Sequence, residues 1–167
     1  MDLIYNRRSV RKFDLTKELP DELLKEIIKA GMQAPSARNQ QPWHFLVVKN
    51  KDILNKLSTV STGSRILENA NCAIILLMED DSKLVSKEFK IVDMAASIQN
   101  IMLEATKHKI GTCWIGVCPN KERMEGVKNI INSQKDVFAM LAIGYPLDEN
   151  AFHSLNRYDE ERINFIK

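Results

Sequence analysis

Cysteine is scarce in this sequence. Cys72, Cys113 and Cys118 are the only three, an odd number that suits no disulfide framework, and no two of them form a CxxC pair. None stands at ligand spacing from a histidine, so no metal site is expected. Cys72 opens an apolar run and reads as a small core residue, and reduced thiols fit the whole set. Long apolar stretches are missing as well. The longest, residues 72–78 and 138–143, fall far short of a bilayer span, so no membrane partner is expected. The first six residues lack the basic and then apolar layout of a secretion signal, which makes a cytoplasmic protein the expectation. A net charge of +2 is too small to imply a nucleic-acid partner. Repeats, low-complexity segments and linkers are absent. The chain has 167 residues, of which 44% are hydrophobic and 28% charged. That suits one globular domain spanning residues 1–167.

Familiar catalytic signatures are missing too. There is no GxGxxG after a strand, no Walker A loop, no HExxH and no GxSxG. His44, His108 and His153 are scattered without evident partners, and read as strand, helix-surface and tail residues rather than general bases. An enzyme built on this chain needs a cofactor to carry its reaction.

What is present combines helix and strand patterns in one domain, and the fold class read from it is α+β. Asp2 is placed to cap a short helix running through Arg8, with Leu3 and Ile4 facing inward. Pro20, Asp21 and Glu22 open a helix with Leu23, Leu24, Ile27 and Ile28 on one face, ending near residues 31–34 because Pro35 disfavours helical geometry before it. Residues 43–48 read as a strand and 52–60 as a helix. Residues 72–78 contain no ionisable side chain and predict a strand covered on both faces, as do 138–143. Residues 91–108 are long enough only for a helix, and one apolar around most of its circumference is buried centrally or in a subunit interface. A strand over 113–117 and a helix over 121–131 follow. After Pro146 the chain is polar with scattered Leu155, Ile163 and Phe165, a tail that needs a surface to lie on.

Three segments carry candidate chemistry. Arg7, Arg8, Ser9, Arg11 and Lys12 place four cations and a hydroxyl within six positions. That is either a phosphate site, since arginine forks bind phosphate oxygens bidentately, or a solvated basic turn. In residues 34–43, two prolines fix a loop whose Ser36, Asn39 and Gln41 suit the edge of a heterocycle. Taken alone, the same residues favour a plain helix-to-strand connection. Gly111 and Gly116 bracket a strand where backbone N–H groups could approach a planar ligand, with Trp114 as apolar wall or core residue.

In this order and spacing the segments resemble the nitroreductase family, across nearly the whole chain. The family pattern RRSVRKF matches residues 7–13, PSxxNxQPW matches 35–43, the glycine-flanked strand matches 111–116, and an IGYP turn matches 143–146. The resemblance implies a nitroreductase-like fold, with a mixed, mostly antiparallel central sheet flanked by helices and a C-terminal tail wrapping a partner subunit. It implies a homodimer with FMN at the subunit interface. Arg7, Arg8, Ser9 and Arg11 match positions that hold the FMN phosphate and reach toward the ribityl chain and pyrimidine ring, and Arg157 matches a terminal arginine on the phosphate. Pro35, Ser36, Ala37 and Asn39 match the loop that contacts the flavin from the other subunit, with Gln41 in the same motif. Ile115 and Gly116 match the backbone beside flavin N5, with Trp114 adjacent. Arg65, a short helix before the strand at 72–78, sits where relatives often carry a cation near flavin N1; a positive charge there stabilises the negative charge of reduction. An exposed helix-surface arginine is the alternative reading.

The activity implied is transfer of two electrons from NADH or NADPH to a nitroaromatic, quinone or similar small-molecule acceptor by a ping-pong mechanism. The alternatives are a non-catalytic flavin-binding redox module, or specialised flavin chemistry on the same fold, such as dehalogenation or FMN breakdown. Two departures from the family pattern stand out. Leu155 occupies a position where relatives often have lysine, and the chain lacks the insertion that forms a lid in larger members.

Overall fold

The computed structural model of the chain describes residues 2–167. Its helices are α1 (Leu3–Asn6), α2 (Asp21–Met32), α3 (Lys51–Ser58), α4 (Lys90–Lys107) and α5 (Lys121–Ile131), and its strands are β1 (Trp43–Val48), β2 (Cys72–Met78), β3 (Gly111–Gly116) and β4 (Val137–Gly144). The strands form one sheet in the order β1-β2-β4-β3, antiparallel at every strand pair. The parallel component of the expected mixed sheet is a single bridge, Ser9 with Thr112.

All seven residues of β2 and all eight of β4 are buried, as their uninterrupted apolar sequences require when both faces are covered. Alternation sends Cys72, Ile74, Leu76 and Leu141 to one core with Leu24 and Ile27 of α2 and Met94, Ile98 and Ile101 of α4. It sends Ala73, Ile75, Met140 and Ala142 to a second core with Leu54 and Leu57 of α3, Leu67, and Val127 of α5. Burial pushes the Cys72 thiol up to about 12, in keeping with an inert core cysteine. Helix α2 approaches α4 closely at Gly31, where a Cβ would stand 2.6 Å from Ile101 Cγ1.

Three expectations change. Helix α1 ends at Asn6 rather than Arg8, because Arg7 is already extended, and Asp2 makes no side-chain cap bond; Ile4 is 71% exposed rather than inward-facing. Helix α4 is not apolar all round where it is buried: Asp93, Ser97 and Thr106 lie inside while Ile91 and Val92 face outward. The histidines have partners. His44 lies 2.9 Å from Glu79, and His108 lies 3.2 Å from both Glu26 and Glu104. Glu26, Glu104 and His108 bring one potential ligand atom each within 4.8 Å of one another, and Lys107 shares the Glu104 carboxylate at 2.7 Å. No helix among the described residues is long and apolar enough to cross a membrane.

Glu79 closes the end of β2. A hydrogen bond from Lys135, then the Asp80 N–H and His44, hold its carboxyl well below the usual carboxylate range. A folded pKa below the unfolded one stabilises the protein above the unfolded value and is lost as pH falls. Glu79→Gln should therefore cost on the order of 1 kcal/mol near pH 7, the upper end for solvent-screened pairs. The difference from wild type should shrink as pH drops from about 5 toward 2. Urea denaturation across that range measures it, and a difference independent of pH would refute the ion-pair origin.

Candidate functional site

The basic segment is docked by a missing side chain. Gly111 is buried, and a Cβ there would lie 2.7 Å from both Cβ and Cγ1 of Val10. Val10 fills that space, its N–H donates to Thr112 O at 2.9 Å, and the Ser9–Thr112 bridge follows. Gly111 thus serves close packing inside the protein rather than approach to a ligand. Gly116 at the other end of β3 meets nothing within 4 Å, so the reading of open backbone fits that glycine alone.

Docked in this way, residues 7–12 form one wall of a cleft of about 450 Å³. The other wall is the tail, through Asp148, Asn150, Ala151, His153 and Arg157. Arg8 ties the walls together. Its Nε donates to His153 O at 2.6 Å and its Nη1 to Arg7 O at 2.6 Å, while Nη2 donates to Tyr5 O. Arg11 Nη1 also reaches a carbonyl, that of Ser9 at 3.4 Å, while Arg7 and Arg157, which line the same cleft, donate no side-chain hydrogen bond among the described residues. Among the described residues, none of the four arginines is paired with a carboxylate; Asp148 instead accepts from the Asn150 N–H at 2.9 Å. Burial first, then the charges of Arg8 and Arg157, pull the Arg7 pKa below its ordinary value. Concentrated, uncompensated positive charge of this kind suits a phosphate. Sequence reasoning found the arginines and Ser9 but missed Asp148, Asn150 and His153, which carry no motif and enter the cleft only because the tail folds back.

The loop at residues 35–42 is shaped by three non-glycine residues in the left-handed region: Arg38, Asn39 and Gln41, with φ of 50°, 55° and 47°. Ser36 Oγ accepts from the Gln41 N–H at 3.0 Å, and Gln41 Nε2 donates to Asn39 Oδ1 at 2.9 Å. Pro35, Asn39 and Gln41 are exposed, while Ser36 and Ala37 are half-buried. The Ala37 N–H is occupied by Asp93, a residue sequence reasoning passed over as part of a helix.

These two groups do not meet within one chain. The loop enters β1 at Trp43, which pairs with Met78 at one end of the sheet. The basic segment runs beside Thr112, near the other end of the opposite edge strand. Ala34 and Trp43 pack in the first core, and Val10 and Phe13 in the second. Strand spacing and rise put the two corners roughly 20 Å apart.

Along β3, Trp114 is 36% exposed and meets the Phe138 ring edge-on at 5.6 Å, while Ile115 is buried in the second core. Their side chains point to opposite faces, so Ile115 has only backbone to offer a ligand on the Trp114 side. Arg123, also missed, stands 3.4 Å from the Gly116 carbonyl. Arg65 is exposed on the 3-10 segment Thr62–Asn69 and lines a separate cleft with Ser58, Thr59, Ser61, Thr62 and Glu68.

Against known proteins, the model of the nitroreductase family matches residues 4–64 and 62–145. A protein of Archaeoglobus fulgidus named as an NADH dehydrogenase or NAD(P)H nitroreductase is 35% identical over 98% of this chain and 95% of its own length. The crystal structure of a Clostridium acetobutylicum protein described as an NADH oxidase superposes with a TM-score of 0.91 at 39% identity, covering 99% of both chains. An FMN-dependent nitroreductase from Clostridium difficile superposes with a TM-score of 0.85 at 29% identity, covering 96% of this chain and 95% of that one.

The two glycines of β3 give a direct contrast. Gly111→Val should collide with Val10 and lower stability by about 1–3 kcal/mol, the usual range for overpacking. Gly116→Ala meets open space and should stay within about 0.5 kcal/mol of wild type. Chemical denaturation of both variants tests the assignment, and equal losses would show that Val10 does not depend on Gly111.

Proposed function

The chain belongs to the nitroreductase family of oxidoreductase enzymes, and from that premise we propose that it is an FMN-dependent homodimer. In this reading it moves two electrons from NADH or NADPH to a nitroaromatic, quinone or similar acceptor, donor and acceptor alternating at one site. When bound, FMN supplies the electron-carrying chemistry that the protein's own side chains lack.

The observation that carries the proposal is the arginine cleft. Arg7, Arg11 and Arg157 line it with no carboxylate in ion-pair contact among the described residues, Asp148 being the one acidic residue on its wall, and a phosphate monoester offsets the remaining charge. Arg8 contributes by holding the tail so that Arg157 reaches the cleft. Ser9 beside it offers a hydroxyl. The open space at Gly116 admits a planar ring against the backbone of Ile115 and Gly116, with Trp114 at its side. Ser36, Asn39 and Gln41 then belong to the partner's half of the site, since their own chain holds them at the far corner of the sheet. No residue in this set is needed as a proton donor, so the protein's work is orientation and electrostatics.

The second subunit answers a packing problem as well. Leu155, Tyr158, Ile163, Phe165 and Ile166 in the tail are 43–104% exposed, and so are Ile4, Tyr5, Phe89, Ile91 and Val92 at 42–71%. That much apolar surface calls for cover, and a two-fold copy supplies it with matching patches. Arg65, in its separate cleft, is proposed to bear on the flavin's reduced charge from the α3 side.

Visible spectroscopy of natively purified protein tests the proposal. Flavin bands should bleach anaerobically with one nicotinamide donor and return on adding a nitroaromatic or quinone. Protein that stays colourless after incubation with FMN would overturn the reading, and bands indifferent to both donors would favour a redox-sensing module. Arg65→Ala should lower the flavin midpoint potential, measured by dye-coupled reduction; an unchanged potential removes Arg65 from that role.

A further inference from the structure

Asp93 is the buried carboxylate that the proposed function leaves unused. It lies in the first turn of α4, 5% exposed, and among the described residues it has no cation within ion-pair distance. Both of its oxygens are nevertheless engaged. Oδ1 accepts from the Ala37 N–H at 2.9 Å, and Oδ2 accepts from Gln40 Nε2 at 2.7 Å. The Gln40 amide is itself fixed from the other side. Its Oε1 accepts from the Ser86 N–H at 3.0 Å, and its Nε2 also donates to Ser86 O at 2.9 Å.

This arrangement dictates residue types. Ser86 presents an N–H that needs an acceptor, which sets the orientation of the Gln40 amide and aims its NH₂ at residue 93. The Ala37 N–H aims a second donor there. Residue 93 must therefore accept twice and donate nothing, which an ionised aspartate does and an asparagine cannot. The positive end of α4 favours the same charge.

The ring of bonds encloses residues 37–40, which include two of the three left-handed residues, Arg38 and Asn39, with Gln41 next to them. Such conformations persist only where the surroundings over-determine them. Asp93 and Gln40 supply that constraint from inside. On the outside they leave Asn39 and Gln41 exposed and Ser36 half-exposed.

We propose that Asp93, acting through Gln40 and the Ala37 N–H, is the positioning residue that sets the Ser36–Asn39–Gln41 face for the flavin held by the partner subunit's arginine cleft. This rests on the functional reading above. It adds that the Ala37 N–H is committed internally and is not offered to the flavin. Asp93 touches neither flavin nor substrate, and its influence is on the loop.

The test compares full-length wild type with Asp93→Asn and Gln40→Met, each stripped of flavin. Three quantities are read: amide exchange at Ala37, the unfolding midpoint without flavin, and FMN affinity by fluorescence titration. Both variants should speed Ala37 exchange and weaken FMN binding about tenfold, the effect of losing one buried charged hydrogen bond. Gln40→Met keeps the inference testable should Asp93→Asn fold poorly. If wild type binds FMN and the variants bind it equally well, the positioning role is overturned, even where the midpoint falls, because that pattern marks a purely structural carboxylate. If wild type itself does not bind FMN, the functional reading falls and this inference falls with it.

Discussion

Complete burial of the β2–β4 pair is the constraint from which the rest of the structure follows. Two adjacent strands with no charged side chain need apolar cover on both faces, and α2 with α4 on one side, α3 with α5 on the other, provide it. A sheet sealed in this way has no room at its centre for charge or for a ligand. Polar and charged function is pushed to the edge strands and the loops that flank them, where Gly116 and the arginine segment border β3 and the left-handed loop enters β1. The wide separation of those two regions is a property of the sheet order rather than of the loops.

The two regions differ in kind. The cleft concentrates like charges, and the Arg7 pKa is depressed first by burial and then by Arg8 and Arg157 nearby. The loop at residues 35–42 carries mostly neutral polar side chains beside the exposed Arg38, and the carboxylate it meets, Asp93 of α4, is turned inward and consumed by hydrogen bonds. One region suits an anion and the other a polar ring edge, and the proposed FMN has both. That complementarity, together with the exposed apolar residues of the tail and of α4, gives the proposed dimer a reason in electrostatics and in packing.

Much of the fold was legible in the sequence because its signals are local. The apolar runs at 72–78 and 138–143, the amphipathic face of α2 and the stretch at 121–131 each fall within a few residues of the observed elements. The errors arose where the deciding partner is distant. Helix α1 stops short because the chain turns extended at Arg7 and Arg8 folds back on nearby carbonyls, a competition that periodicity does not encode. Gly111 looked like a ligand-approach glycine, but the side chain that needs its space is Val10, about a hundred positions earlier. Asp93 was invisible for the same reason: nothing in its neighbours announces that Ala37 and Gln40 will arrive with two donors. Of the site itself, residue types were readable, whereas the walls formed by Asp148, Asn150 and His153 and the separate placement of Arg65 were not.

The contact between Arg8 and the carbonyl of His153 bridges 145 positions of sequence. Closing so long a loop is entropically expensive and kinetically late. During synthesis, the cationic segment leaves the ribosome before the tail does, and acquires its second wall only when the residues around 148–157 have emerged and folded back. The cleft thus exists only when both distant segments are present, and a nascent chain that has not yet reached residue 157 cannot grip an anion there with all its arginines.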